Sequence, residues 1–194
     1  MNFLAHLFLS GNNEEILVGN LLGDFMRGRK IDAFSEGIAK GIDMHRKIDE
    51  FTDNHPMVIA TKQRLRPLFK HYAPVVADIY YDHFLAANFS DYSDVPLKDF
   101  AHKCYKALQT HRDLFPPRFQ PALIYMRFRN VLVSYSKLRG IQFAFARMLR
   151  RTSHPSNLMN ATKELKENYE KYYSEFKIFF PELCEFSRQL LNTK

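Results

Sequence analysis

The sequence predicts an all-α protein, folded as a single-domain helical bundle, and three observations carry that expectation. Seven glycines and nine prolines in 194 residues leave long stretches without a break. Apolar side chains recur at helical spacing, and no segment shows the period of two that marks a half-buried strand. The rings are 18 Phe and 10 Tyr with no Trp, side chains that pack helix against helix and ask for few polar partners. With 46% hydrophobic residues, the chain can close one substantial core over residues 1–194 and is short for two.

Spacing and punctuation place helices over 2–10, 13–28, 35–54, 56–70, 73–89, 96–113, 120–138, 139–151, 156–179 and 181–192. Ser35 opens the third, and Pro56, Pro74 and Pro96 open later ones, where a fixed φ and a missing N–H cost nothing. Pro67 is expected to end or kink the fourth. Asn88 to Pro96 reads as a loop, and Phe115-Pro116-Pro117-Arg118-Phe119 as a second break. From Leu158 onward, Leu165, Tyr169, Tyr172, Phe176, Phe179 and Leu183 form a seam close to a 3.5-residue repeat, which marks a packing helix.

Composition narrows the function classes. Cys104 and Cys184 are far apart and outside any Cys-x-x-Cys spacing, which argues against a disulfide framework or a thiolate zinc site and fits a reducing cytoplasm. The apolar start, Phe3-Leu4-Ala5-His6-Leu7, lacks the basic region and cleavage site of a signal peptide. No run approaches the roughly 20 apolar residues that span a bilayer. The formal charge of +7 and a pI near 9.4 steer toward a polyanionic partner without saying which.

Four segments could carry chemistry. In His45-Arg46-Lys47-Ile48-Asp49-Glu50-Phe51-Thr52-Asp53, about 100° per residue puts His45, Asp49 and Thr52 on one helix face. An imidazole and a carboxylate there could meet one ion, with a preference for Mn, Fe or Zn over Mg or Ca; a solvated i,i+4 ion pair is the plainer reading. In Asp78-Ile79-Tyr80-Tyr81-Asp82-His83, two carboxylates one turn apart on an apolar helix must be paired, protonated or metal-bound if buried. Asn20 and Asp24 share a face beside Gly23, a glycine that lets another helix come close. His6 stands alone among apolar residues. No P-loop, Gly-x-Gly-x-x-Gly, Gly-x-Ser-x-Gly or His-Glu-x-x-His occurs, which removes the commonest nucleotide, serine-esterase and zincin chemistries.

Asn2-Phe3-Leu4-Ala5-His6-Leu7, Gly19-Asn20-Leu21-Leu22-x-Asp24-Phe25, Met44-His45-Arg46-x-Ile48-Asp49 with Thr52-Asp53-Asn54, Asp82-His83-Phe84-Leu85 and Pro116-Pro117-Arg118-Phe119 together resemble the acyl carrier protein phosphodiesterase family, considered a divergent relative of the HD-domain phosphohydrolases. The resemblance covers the first 120 residues. It implies an HD-domain-like bundle that hydrolyses the 4'-phosphopantetheine arm from holo-acyl carrier protein. It also implies a divalent metal, Mn2+ first and Mg2+ or Fe2+ as alternatives. On this reading His6, Asp24, His45, Asp82 and His83 are candidate metal ligands. Asp49 and Asp78 are candidate bases or orienting groups, and Arg27 and Arg46 are candidates to hold phosphate. Asp82-His83 reverses the His-Asp order of an ordinary HD domain, so the ligand set does not transfer unchanged. Arg27, Arg29, Lys30, Arg46, Lys47, Lys62 and Arg64 are expected to dock an acidic carrier protein, with neither a membrane nor nucleic acid as partner. A phosphohydrolase for a nucleotide or other small phosphoester is the alternative enzyme, and a basic helical nucleic-acid-binding module the alternative class.

Overall fold

A computed structural model of the chain describes residues 3–26, 31, 33–150 and 157–193, and among these it contains helices and no strand. The α-helices are α1 (Phe3–Leu9), α2 (Glu14–Leu22), α3 (Glu36–Asn54), α4 (Pro56–Phe69), α5 (Ala73–Ala87), α6 (Leu97–Thr110), α7 (Gln120–Phe128), α8 (Val131–Ser134), α9 (Leu138–Leu149), α10 (Ala161–Glu167) and α11 (Tyr169–Asn192). Short 3-10 turns join several of them, among them Gly23–Phe25 at the end of α2.

Capping chemistry explains the starts. Asn13 accepts from the Ile16 amide at the head of α2, and Ser35 accepts from the Ile38 amide at the head of α3, each satisfying an amide that the first turn leaves orphaned. Pro56 sits in the first turn of α4, behind His55, whose ring accepts from the Met57 amide.

The close crossing of α2 and α3 is the frame on which the polar site is built. A Cβ at Gly19 would overlap the Ile38 carbonyl, and one at Gly41 would overlap the Ile16 carbonyl. Two glycines facing each other therefore let the backbones touch. Beneath this pair one core extends from Leu4 on α1 to Leu183 on α11, with Tyr80, Tyr81, Phe84, Phe176 and Phe179 buried at its centre.

Several expected boundaries differ, among them that of the helix expected over 13–28, which leaves α geometry after Leu22 for the Gly23–Phe25 3-10 turn. The helix expected over 120–138 stops at Phe128, because Asn130 adopts a left-handed φ of 46° that turns the chain into α8. The break expected before residue 181 is absent, and α11 runs on through Pro181. Buried Phe179, Phe180 and Leu183 flank that proline, and their burial outweighs the backbone hydrogen bond it removes. The boundary falls instead at Asn168, which separates α10 from α11. Pro67 likewise lies within α4 rather than ending it.

Candidate metal centre

His6 on α1 and His45 on α3 stack face to face, with ring centroids 4.2 Å apart. Asp49, one turn beyond His45, spans both rings: its Oδ1 lies 3.2 Å from His6 Nε2 and its Oδ2 lies 3.3 Å from His45 Nε2. From the 3-10 turn after α2, Asp24 brings Oδ1 to 3.6 Å from the same His45 nitrogen. Both rings are buried, whereas Asp24 and Asp49 are partly open to solvent. Among the described residues, His6, His45 and Asp49 form the group whose potential ligand atoms all lie within 4.8 Å of one another.

Gly23 makes room for this arrangement, since a Cβ there would overlap the His45 ring. The sequence expectation that this glycine admits another helix is corrected: the close neighbour is a side chain of α3 and not its backbone. The helix backbones meet one turn earlier, at Gly19.

The protonation of His6 follows from its surroundings. Asn20, fully buried on α2, donates through Nδ2 to the His6 carbonyl at 3.0 Å and to Ser10 Oγ at 2.9 Å. Its Oδ1 therefore faces His6 Nδ1, 2.8 Å away, so Nδ1 must carry the proton and donate. In the neutral ring Nε2 then presents a lone pair, buried and without a hydrogen bond, toward a carboxylate oxygen of Asp49. Two lone pairs facing each other at that distance repel unless a cation lies between them. A proton is disfavoured, because burial pushes the His6 pKa down to about 4. Burial also opposes the charge on Asp49, but hydrogen bonding, that from the His45 ring first, outweighs burial and holds its carboxyl well below the ordinary carboxylate range. A neutral His6 imidazole and the His45 ring beside the ionised Asp49 carboxylate form a donor set that fits a borderline divalent cation.

The remaining candidates go elsewhere. Asp82, fully buried on α5, accepts from the Leu4 amide at 2.9 Å and the Ala5 amide at 3.0 Å. Both its oxygens are thus committed to the first turn of α1, and it does not join His6, His45 and Asp49. Burial pushes its pKa up to about 7, against the pull of those two bonds. His83 points to the far side of α5, where Nδ1 donates to the Tyr135 carbonyl at 2.7 Å and the ring packs on Tyr169. The adjacent pair is therefore split between two structural tasks. Asp78 stays outside the cluster; burial raises its pKa, and the charges of Asp49 and Asp53 add to the rise. Arg46 is exposed and donates to the Met26 carbonyl at 3.4 Å, at the edge of the turn that carries Asp24. Arg27 lies outside the described residues.

Sequence reading noted Asn20 on the face of Asp24 but gave it no role at the site. Its i,i+4 relation to an acidic residue was the available signal; the contact with His6, fourteen positions away, required the packing of α1 on α2.

Fold and cluster together define a helical protein with a His/Asp centre suited to a cation. The family model for acyl carrier protein phosphodiesterase matches residues 1–183, and the chain belongs to that family. Proteins named acyl carrier protein phosphodiesterase from Photorhabdus laumondii and Serratia proteamaculans are 33% and 32% identical to it, each over 95% of this chain and 94% and 96% of their own lengths. One of the same name from Escherichia coli strain ATCC 8739 is 35% identical over 98% of this chain and its full length. No solved structure matches. No helix among the described residues is long and apolar enough to cross a membrane.

Proposed function

We propose that the chain hydrolyses the phosphodiester that joins 4'-phosphopantetheine to a serine of holo-acyl carrier protein, in the cytoplasm, using a divalent cation at His6, His45, Asp49 and Asp24. Mn2+ is the cation the family resemblance implies first, with Fe2+ or Mg2+ as alternatives, and a mixed imidazole and carboxylate set accepts it. The observation that carries the reading is the buried His6 Nε2 facing Asp49 Oδ1 with its tautomer fixed by Asn20. The names of the relatives supply the substrate class.

A dication in such a site acidifies water and draws charge from the phosphoryl oxygens. The chain's own residues do the rest. Asn20 fixes the ring plane of His6, as an outer hydrogen bond commonly does for a ligating imidazole. Asp82 holds the first turn of α1, and so the height of His6 over Asp49. Asp49, ionised at neutral pH, keeps a negative charge against both rings. Asp78, whose pKa is raised by burial and in part by the charge of Asp49, is the candidate to accept the proton of the attacking water. As oxygen adds to phosphorus the bond to the serine oxygen breaks, and that oxygen leaves with a proton. Arg46 at the rim offers a guanidinium fork to the phosphate.

Incubation with holo-acyl carrier protein and Mn2+, read by intact mass, tests this directly. Loss of the phosphopantetheine mass is expected, and its absence with folded, metal-loaded protein refutes the activity. Asp24→Ala and His45→Ala should abolish the loss while leaving the circular dichroism spectrum helical.

A further inference from the structure

The positive charge of the chain is not spread over it. Eight of the 28 Lys and Arg residues, and none of the 21 Asp and Glu residues, fall between Leu114 and Arg151. The other twenty basic side chains meet all 21 acidic ones, so the rest of the molecule is close to neutral. Outside this segment several prominent cations are held internally: Lys47 pairs with Asp43 at 2.8 Å, Lys62 with Asp53 at 2.5 Å, and Arg64 with Glu175 at 2.6 Å. Inside it Arg118, Arg127, Arg129, Lys137 and Arg139 are exposed and form no ion pair among the described residues.

The same segment carries the most exposed apolar side chains of the described structure. Phe128 is 83% exposed and Ile124 and Phe143 are 61% exposed. Ile124 and Phe128 share one face of α7, one turn apart. Arg147, one turn from Phe143 on α9, stacks on Tyr125 of α7 with its guanidinium 3.9 Å from the ring centre, so the two helices present one continuous surface. An apolar strip among unpaired cations is the composition of a recognition face. It is also tied to the metal centre, because Phe119 at the head of α7 packs against Phe25, beside Asp24, at 4.3 Å, and against Phe3 of α1 at 6.3 Å.

We infer that this α7–α9 face is where the carrier-protein substrate docks. It meets an acidic rim with Arg127 and Arg129 and an apolar patch with Ile124, Phe128 and Phe143, and sets the serine-linked phosphodiester over the centre. The inference rests on the proposed activity for the identity of the partner. Duplex nucleic acid would use the cations and leave the apolar strip unmatched. An interfacial membrane helix is a longer amphipathic element than nine-residue α7.

The test is the combined variant Arg127→Glu, Phe128→Ala, Arg129→Glu, with Lys98→Glu, Lys106→Glu on α6 as the charge-matched control. With holo-acyl carrier protein and Mn2+, the α7 variant should raise KM about tenfold or more, as losing a central apolar anchor and its charged rim does. Hydrolysis of bis(4-nitrophenyl) phosphate should stay unchanged, and the control should behave as the unaltered protein. Equal KM for the α7 variant, or parallel loss on both substrates, overturns the docking assignment. Anisotropy of labelled holo-carrier protein separates this from the activity itself. Binding that the α7 variant abolishes, in a protein that fails to release the arm, keeps the docking face and refutes the phosphodiesterase. Tighter binding to anionic phospholipid vesicles or duplex DNA than to the carrier protein, lost in the same variant, overturns the assignment.

Discussion

His6 and Asp82 make opposite demands on pH, and their cancellation is measurable. In the folded chain burial lowers the His6 pKa from 6.5 to about 4. As pH falls the unfolded chain therefore takes up this proton first, so the stability that comes from burying a neutral ring is whole above pH 6.5 and is lost down to about 4. Burial raises the Asp82 pKa from 3.8 to about 7. Its contribution has the reverse sign, whole below pH 3.8 and lost as pH rises toward 7. At 1.36 kcal/mol per unit, each group is worth about 3–4 kcal/mol across nearly the same window. The metal-free protein should consequently show an almost flat stability between pH 4.5 and 6.5, as seen in urea unfolding with chelator present. Asp82→Asn removes one arm, so that variant should lose about 3 kcal/mol between pH 6.5 and 4. His6→Gln removes the other, and its stability should instead rise as pH falls over the same range. Two variants whose profiles run parallel to the unaltered protein would refute the account of both groups.

Asn20→Leu leaves the His6 Nδ1 proton buried without an acceptor. Mn2+ affinity measured by calorimetry should fall about 10–100-fold, with roughly 2 kcal/mol lost from stability. Arg64→Ala strips Glu175 of its bidentate partner and leaves Thr61 alone against it; thermal melts should report a loss of roughly 2–3 kcal/mol, while KM for the carrier protein stays unchanged. Gly23→Ala drives a methyl group into the His45 ring; an overpacking cost of about 1–3 kcal/mol and loss of Mn2+ binding are expected, and intact binding by calorimetry would disprove the fit.

The helices and the family were legible because both are written in local patterns: caps at Asn13 and Ser35, prolines in first turns, and short motifs such as Met44-His45-Arg46-x-Ile48-Asp49. Half of the site was legible for the same reason, since His45 and Asp49 are one turn apart on one helix. What escaped was decided by distant packing. Asp82 looked like a ligand because a carboxylate on an apolar helix needs a partner; the partner proved to be two amides of α1, more than seventy residues away. Asp49, expected to support the ligands, stands between both rings because α1 brings His6 onto α3. Pro181 and Asn130 misled in opposite ways. A strong local breaker was overridden by the buried side chains on either side of it, whereas an ordinary asparagine in a left-handed conformation divided a continuous pattern.

The clamp of Asp82 on α1 also sets an order of events during synthesis. His6 is made well before Asp82, but α1 is too short to hold itself together in water, and the carboxylate that secures it emerges 77 residues after Ala5. The centre therefore cannot be complete until α5 has left the ribosome and folded back onto α1. Closing so long a loop is a late, slow step. A nascent chain lacking α5 would hold α2 and α3 and bind no cation tightly, so the candidate centre comes into being as a unit with the core, and partly made chains stay without it.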